Sequence, residues 1–176
     1  LGGLGFGFAM GTSSVARSIG SPLVASLFPV PKIALLPLFI LWLGIGEASK
    51  LTTIAVGVFF PTVISTYSAV DSVPRSLVRM GQSFSLSSAA IVRRILLPGA
   101  LPGTLAGFRI SSSIALILVV AAEMIGAEYG VGALILTAGH LLQTDRLLAG
   151  VAVLSLLGLA IAIVLERVER RVLRWR

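Results

Sequence analysis

The chain alternates long apolar runs with short polar connectors, and the lengths of those runs predict helices that cross a membrane. Leu147 to Leu165 reads LLAGVAVLSLLGLAIAIVL, 19 residues without a charge. As a helix that is enough to cross about 30 Å of hydrocarbon. Three further runs predict spans at 30–45, 51–69 and 104–122. The first is short and carries Pro31 and Pro37; the second carries Pro61. Proline inside a membrane helix frees a carbonyl and kinks or breaks the helix, and kinked helices often line pathways. Leu1 to Met10 is apolar and glycine-rich but too short to cross alone, so it reads as the remnant of an earlier span. Val131 to Ala138 (VGALILTA) is also too short. Within the segment 124–146 it predicts a re-entrant or interfacial helix on the outer side, with Gly126, Gly130 and Gly132 allowing a sharp turn at its start.

The charges of the connectors order these spans. Segment 11–32 carries Arg17 and Lys32, and 46–50 carries Glu47 and Lys50. Segment 70–103 sets Arg75, Arg79, Arg93 and Arg94 against Asp71, while 123–146 sets Glu123, Glu128 and Asp145 against Arg146. The tail carries Arg167, Arg170, Arg171, Arg174 and Arg176 with Glu166 and Glu169. Basic, neutral, basic, acidic, basic is the order expected for four spans with 70–103 and the C-terminus inside, because lysine and arginine flank cytoplasmic ends.

Composition strengthens the membrane reading. Of 176 residues 56% are hydrophobic and 12% charged, against about 25% charged in soluble domains. The mean hydropathy is +1.03. The net charge of +7 sits in the connectors and tail, without the aromatic–basic interleaving that single-stranded nucleic acid requires. No cysteine is present, which removes disulfides and thiolate metal sites. The chain opens LGGLGFGFAMG, without methionine or a basic leader, and reads as a protein missing its beginning. No Gly-rich Lys-Ser/Thr phosphate loop occurs, so an ATP site would belong to a partner. His140, the only histidine, has no metal-ligand partners at a useful spacing.

Segment 83–102, SFSLSSAAIVRRILLPGALP, is too patterned for a passive loop. Ser85, Ser87 and Ser88 are good helix N-caps. Phe84, Ser88, Ile91 and Ile95 then fall on one helical stripe, and Ala90, Arg93 and Leu97 on another. The pattern predicts a short helix ending at Pro98, with Gly99, Pro102 and Gly103 turning into the next span. Such a basic amphipathic helix suits either a groove on a partner protein or anionic lipid headgroups.

Several residues within or beside the spans are candidates for a pathway. Arg109 lies near the start of the third span, where a charge either snorkels to the interface or contacts an anion. Ser111, Ser112 and Ser113 offer hydroxyl donors to an oxyanion or permit close helix packing. Trp42 suits an interfacial belt, packing or a gate, and Pro37 a kink. Glu123 caps the outer cavity, meets a partner, or marks the outer boundary.

The stretch from Arg79 to Pro98 resembles the EAA loop of inner-membrane permeases of binding-protein-dependent ABC importers. That motif runs Glu-Ala-Ala, three residues, Gly, nine residues, a branched apolar residue, any residue, Leu-Pro. Here Arg79-Met80-Gly81 occupies the Glu-Ala-Ala position, Ser85 the glycine, Ile95 the apolar position, and Leu97-Pro98 the end. Permeases of the nitrate, sulfonate, taurine and bicarbonate type relax the front half and keep "RRxxLPGALP", as at 93–102. The stretches PVPKIALLPLFILWLGIGEASK (29–50), LAGFRIS (105–111), AAEMIGAEYGVGALILTAG (121–139) and QTDRLLAG (143–150) are similar to the same subfamily. The resemblance covers about 150 of 176 residues.

The resemblance implies an all-α polytopic bundle, a single transmembrane permease domain over 1–176, lacking about two segments that the family has. It implies a coupling helix at about 85–94 that fits a cleft in a cytoplasmic ATPase, with Ser85, Leu86, Ser87, Ser88, Ala89, Ala90, Ile91, Arg93, Arg94 and Pro98 as the contact set. It also implies a second permease copy, an extracytoplasmic solute-binding protein, and ATP and Mg on the partner ATPase. The location implied is the bacterial inner membrane. A small channel or secondary transporter and a membrane-embedded enzyme are the rival classes. The first would not need a structured basic inner helix and should carry intramembrane ionisable residues for ion coupling, for which Arg109 alone is poor support; the second lacks acid–base clusters.

Overall fold

A computed structural model describes residues 1–127 and 129–174. Glu128 and Arg176, both counted in the connector charges above, lie outside the described residues. The described chain is helical, with no strand: α1 (Gly2–Thr12), α2 (Ser14–Leu27), a 3-10 turn (Lys32–Leu35), α3 (Leu36–Leu43), α4 (Glu47–Asp71), α5 (Arg75–Ser83), α6 (Ser88–Ile91), a π turn (Val92–Leu96), α7 (Leu97–Gly126), α8 (Val131–His140) and α9 (Thr144–Val172). Among the described residues three stretches are long and apolar enough to cross a membrane, at 47–71, 88–126 and 144–172; α2 and the 32–43 segment count as a fourth only if the bent pair is one span and not a re-entrant loop.

The segment expected as the first span, 30–45, is not one helix. Four residues of 3-10 turn lead into the eight-residue α3, which at 1.5 Å per residue is far shorter than about 30 Å of hydrocarbon. The chain breaks between Leu27 and Lys32, where Pro29 and Pro31 stand. Pro37 produces no kink. It lies in the first turn of α3, where its missing N–H leaves no hydrogen bond unmade. The helix stops at Gly44 and Gly46, whose φ angles of +81° and +152° suit glycine.

The chain divides into two compact units, 1–30 with 59–111 and 31–58 with 112–176. In the first unit, glycine stripes on two helices face α4. A methyl group at Gly7 would sit 2.5 Å from the Val63 carbonyl oxygen, and one at Gly11 2.5 Å from Val70 Cβ. On α7 a methyl at Gly103 would meet Ala69 at 2.8 Å, and at Gly107 it would overlap Ser65. Gly3, Gly7 and Gly11 therefore face α4 in parallel register, whereas Gly103 and Gly107 face it in antiparallel register and Gly99 meets Val73 just beyond its end. Small residues at spacing four let membrane helices approach backbone to backbone. Two apolar clusters fill the remainder: Ala69, Val70, Val73 and Ala100 against Phe8, Ile95 and Leu96, and Met10, Val24 and Val63 against Phe59, Phe60 and Tyr67. Arg17 ties α2 to the end of α4, with Nη2 3.0 Å from Asp71 Oδ1 and its guanidinium 5.1 Å from the Tyr67 ring centroid.

In the second unit α8 packs along α9, with Gly150 admitting Ile135 and Leu134. Only 6% of the apolar window of α9 is buried. Leu148, Leu156, Leu159 and Val164 are all exposed, an outward apolar surface of the kind hydrocarbon or another apolar helix covers.

Candidate functional site

The loop after α4 folds into a helical hairpin, and its turn shows what Ser85 and Gly81 do at two positions of the EAA pattern. Helix α5 ends in a Schellman motif: the Leu86 amide donates to the Gly81 carbonyl at 3.0 Å and the Ser85 amide to Gln82 at 2.9 Å. The residue that must turn left-handed in this motif is Ser85, at φ +55°. Glycine is usual there because it has no Cβ to clash. Ser85 thus performs the glycine's backbone role at a cost of about 1–2 kcal/mol. Gly81, at the second Ala of Glu-Ala-Ala, is buried. A methyl there would lie 2.8 Å from Ile95 Cδ1 and 3.5 Å from Leu86 Cδ1, so only a small residue lets α5 close on the following helix.

Of the three serines expected to cap, Ser87 does so: its Oγ accepts from the Ala90 amide at 3.3 Å. Ser85 belongs to the turn and Ser88 to the first helical turn. The helix expected to end at Pro98 continues. Residues 88–126 form one unbroken stretch of 39 residues, with Pro98 in the first turn of α7 and Pro102 inside it. The π turn at Val92–Leu96 explains how. A proline ring clashes with the carbonyl four residues back and gives no N–H to it, and a widened turn placed just before Pro98 makes the room. The short helix expected at 85–94 and the run expected as the third span thus belong to one helical stretch.

The contact set implied by the resemblance divides by exposure. Ser85, Ser87, Ser88, Ala89, Arg93 and Arg94 are exposed; Leu86, Ala90 and Pro98 are half-buried; Ile91 is buried. Leu86, Ile91 and Ile95 close over Gly81, so they hold the hairpin together rather than offering a surface. Sequence reasoning missed α5 itself. Leu77, Met80 and Phe84, spaced three and four apart, expose an apolar stripe, with Arg75 and Arg79 also exposed. Pro74 followed by this spacing was the available signal.

The candidate pathway residues take separate places. Trp42 is 67% exposed, with its ring centroid 6.3 Å from that of Phe39. Arg109 is exposed on α7. Ser111 is buried and its Oγ accepts from Thr62 Oγ1 at 2.9 Å. It continues the Gly99–Gly103–Gly107 stripe, which makes it a packing residue first. Ser112 is half-buried and Ser113 exposed. Glu123 is half-buried, and its Oε2 accepts the Gly132 amide at 2.8 Å, at the start of α8. A cavity of about 660 Å³ runs along α8, lined by Met124, Ala127, Ala133, Thr137 and Arg146 among others.

Comparison with known proteins gives the hairpin a context. The family model described as "binding-protein-dependent transport system inner membrane component" matches residues 3–174. The taurine transport system permease protein TauC of Escherichia coli (strain K12) is 39% identical over 173 residues, covering 98% of this chain and 63% of that protein. The putative aliphatic sulfonates transport permease protein SsuC of Bacillus subtilis (strain 168) is 34% identical over 174 residues, covering 99% and 63%. The riboflavin transport system permease protein RibX of Chloroflexus aurantiacus is 32% identical over 155 residues, covering 88% and 58%. The chain thus spans about 63% of the length of TauC.

Proposed function

The chain belongs to the family of inner-membrane components of binding-protein-dependent transport systems, and from that premise we propose that it is a membrane-spanning subunit of an ATP-driven importer for a small sulfonate-type oxyanion. The observation that carries this is the hairpin at 75–96. It places an exposed basic and apolar surface at the foot of a continuous membrane-length helix, with a left-handed turn and a small-residue contact at the two positions where the EAA pattern has them.

In this reading two cytoplasmic ATPases hold ATP and Mg and hydrolyse it, while this chain supplies the lever and part of the path. Arg93 and Arg94, exposed on the π turn, meet acidic side chains on the ATPase, and Phe84 with Ser88 sits against it. The permease works as two copies. The loop 70–103 and the C-terminus face the cytoplasm, and an extracytoplasmic binding protein delivers the solute at the other side. Arg109, exposed on α7, contacts the anion in transit in this reading.

The substrate class rests on the names of TauC and SsuC; RibX shows that similar chains also serve in systems named for another solute. Proteoliposomes holding the permease with its ATPase, supplied with binding protein and ATP, test both levels. Taurine or an alkanesulfonate should accumulate and nitrate or riboflavin should not. ATP-driven uptake of a different solute would overturn the substrate class, and uptake without any ATPase would overturn the importer reading.

A further inference from the structure

Glu123 is a half-buried acidic residue that the transport reading leaves without a task. Its surroundings are built around its carboxylate. Helix α8 begins after Gly130, which has no side chain to cap it and makes no side-chain cap bond. The acceptor comes instead from nine residues back, where Glu123 Oε2 receives the Gly132 amide at 2.8 Å. An anion at a helix N-terminus also meets the positive end of the helix dipole. The two flanking glycines fit this placement closely. A methyl at Gly130 would lie 2.5 Å from Glu123 Cδ, and Gly130 has φ +137°, which only glycine adopts readily. A methyl at Gly132 would lie 2.6 Å from the Val120 carbonyl oxygen and 2.8 Å from Glu123 Cβ.

We propose that Glu123 is a positioning residue that latches the start of α8 to the end of α7 and so fixes the wall of the cavity that runs along α8. The carboxylate acts through the Gly132 amide, not by touching solute or binding protein. Met124, Ala127 and Gly130, which line that cavity, sit on the stretch the latch holds. The inference rests on the importer reading for its transport consequence, but the latch itself is independent of it.

The experiment compares Glu123→Gln with Glu123→Ala in the full chain, assembled with its ATPase in proteoliposomes. Gln keeps an oxygen acceptor for the Gly132 amide and removes only the charge; Ala removes both. Hydrogen exchange of a peptide covering 130–136 reads the latch directly. Exchange should rise about tenfold in the Ala variant, since loss of a charge-assisted hydrogen bond opens the local backbone, and stay within about twofold of wild type in Gln. Uptake per ATP hydrolysed should fall with Ala and be held by Gln, with basal ATP hydrolysis unchanged in both. Unchanged exchange in Ala overturns the latch. Raised exchange with intact uptake overturns its positioning role. A Gln variant that transports as poorly as Ala, with its exchange still protected, assigns the charge to direct contact with solute or partner. If the wild-type complex shows no ATP-driven uptake, the importer reading fails, while the exchange data still decide the latch.

Discussion

Replacing Gly7 with alanine probes the packing of α1 on α4. The added methyl would lie 2.5 Å from the Val63 carbonyl oxygen, 2.8 Å from Thr66 Cβ and 3.1 Å from Val63 Cα. Close C–H···O contacts run at about 3.3 Å, so α1 and α4 must part by nearly an ångström. Two of the three atoms met belong to the backbone and cannot swing aside. Gly5 provides the control on the same helix, because nothing lies within 4 Å of a methyl placed there. Both alanines gain the same helix propensity, about 1 kcal/mol over glycine. The difference between the variants therefore isolates the overpacking term, about 1–3 kcal/mol. At about 2–4 °C per kcal/mol for a chain of this size, Gly7→Ala should melt between about 2 and 12 °C below Gly5→Ala. Thermal unfolding of the detergent-purified proteins, followed by loss of the monodisperse peak, measures the gap. Equal melting temperatures would refute the backbone-to-backbone contact of α1 with α4.

Other substitutions test the hairpin and its base. Ser85→Gly should relieve the left-handed strain and slow hydrogen exchange of the turn, by about 1 kcal/mol after glycine's own entropy cost is subtracted; faster exchange would contradict the Schellman assignment. Thr66 is buried, and its hydroxyl has no hydrogen-bond partner among the described residues. Thr66→Val keeps the shape and removes the orphaned group, so it should raise the melting temperature, by the equivalent of about 1 kcal/mol; a fall would show the hydroxyl to be bonded. Arg93→Glu with Arg94→Glu should leave insertion and ATP binding intact but abolish coupling between hydrolysis and uptake. Normal coupled transport in that double variant would remove both arginines from the docking surface.

The membrane-length helices were legible because their apolar runs exceed what any soluble element needs: α4, α7 and α9 each contain one of the runs read at 51–69, 104–122 and 147–165. The element boundaries were less so, and the misses have physical causes. Pro98 and Pro102 read as stop signals because proline ends most helices in water, yet a π turn ahead of Pro98 absorbs the clash and the helix runs through. Pro37 read as a kink, although at a helix's first turn the same residue is harmless. Ser85 and Ser88 read as caps beside Ser87, since single-sequence capping rules do not say which serine faces the free amides. The stripe of Gly99, Gly103, Gly107 and Ser111 at spacing four carries the packing alternative given for Ser111, but spacing alone does not name α4 as the partner. Glu123 depends on a contact nine residues away across a turn, and no local periodicity carries that information.

The central claim is that the 75–96 hairpin is where a cytoplasmic ATPase grips this chain, and site-specific photo-crosslinking tests it most directly. A photoreactive residue is placed at Phe84 or Ser88, and as a control at Leu159 on the exposed face of α9, in the permease co-expressed with its ATPase. The account predicts covalent adducts to the ATPase from 84 and 88, strengthened by trapped ATP, and none from 159. Adducts from 159, or none from 84 and 88 in an assembled complex, would contradict it.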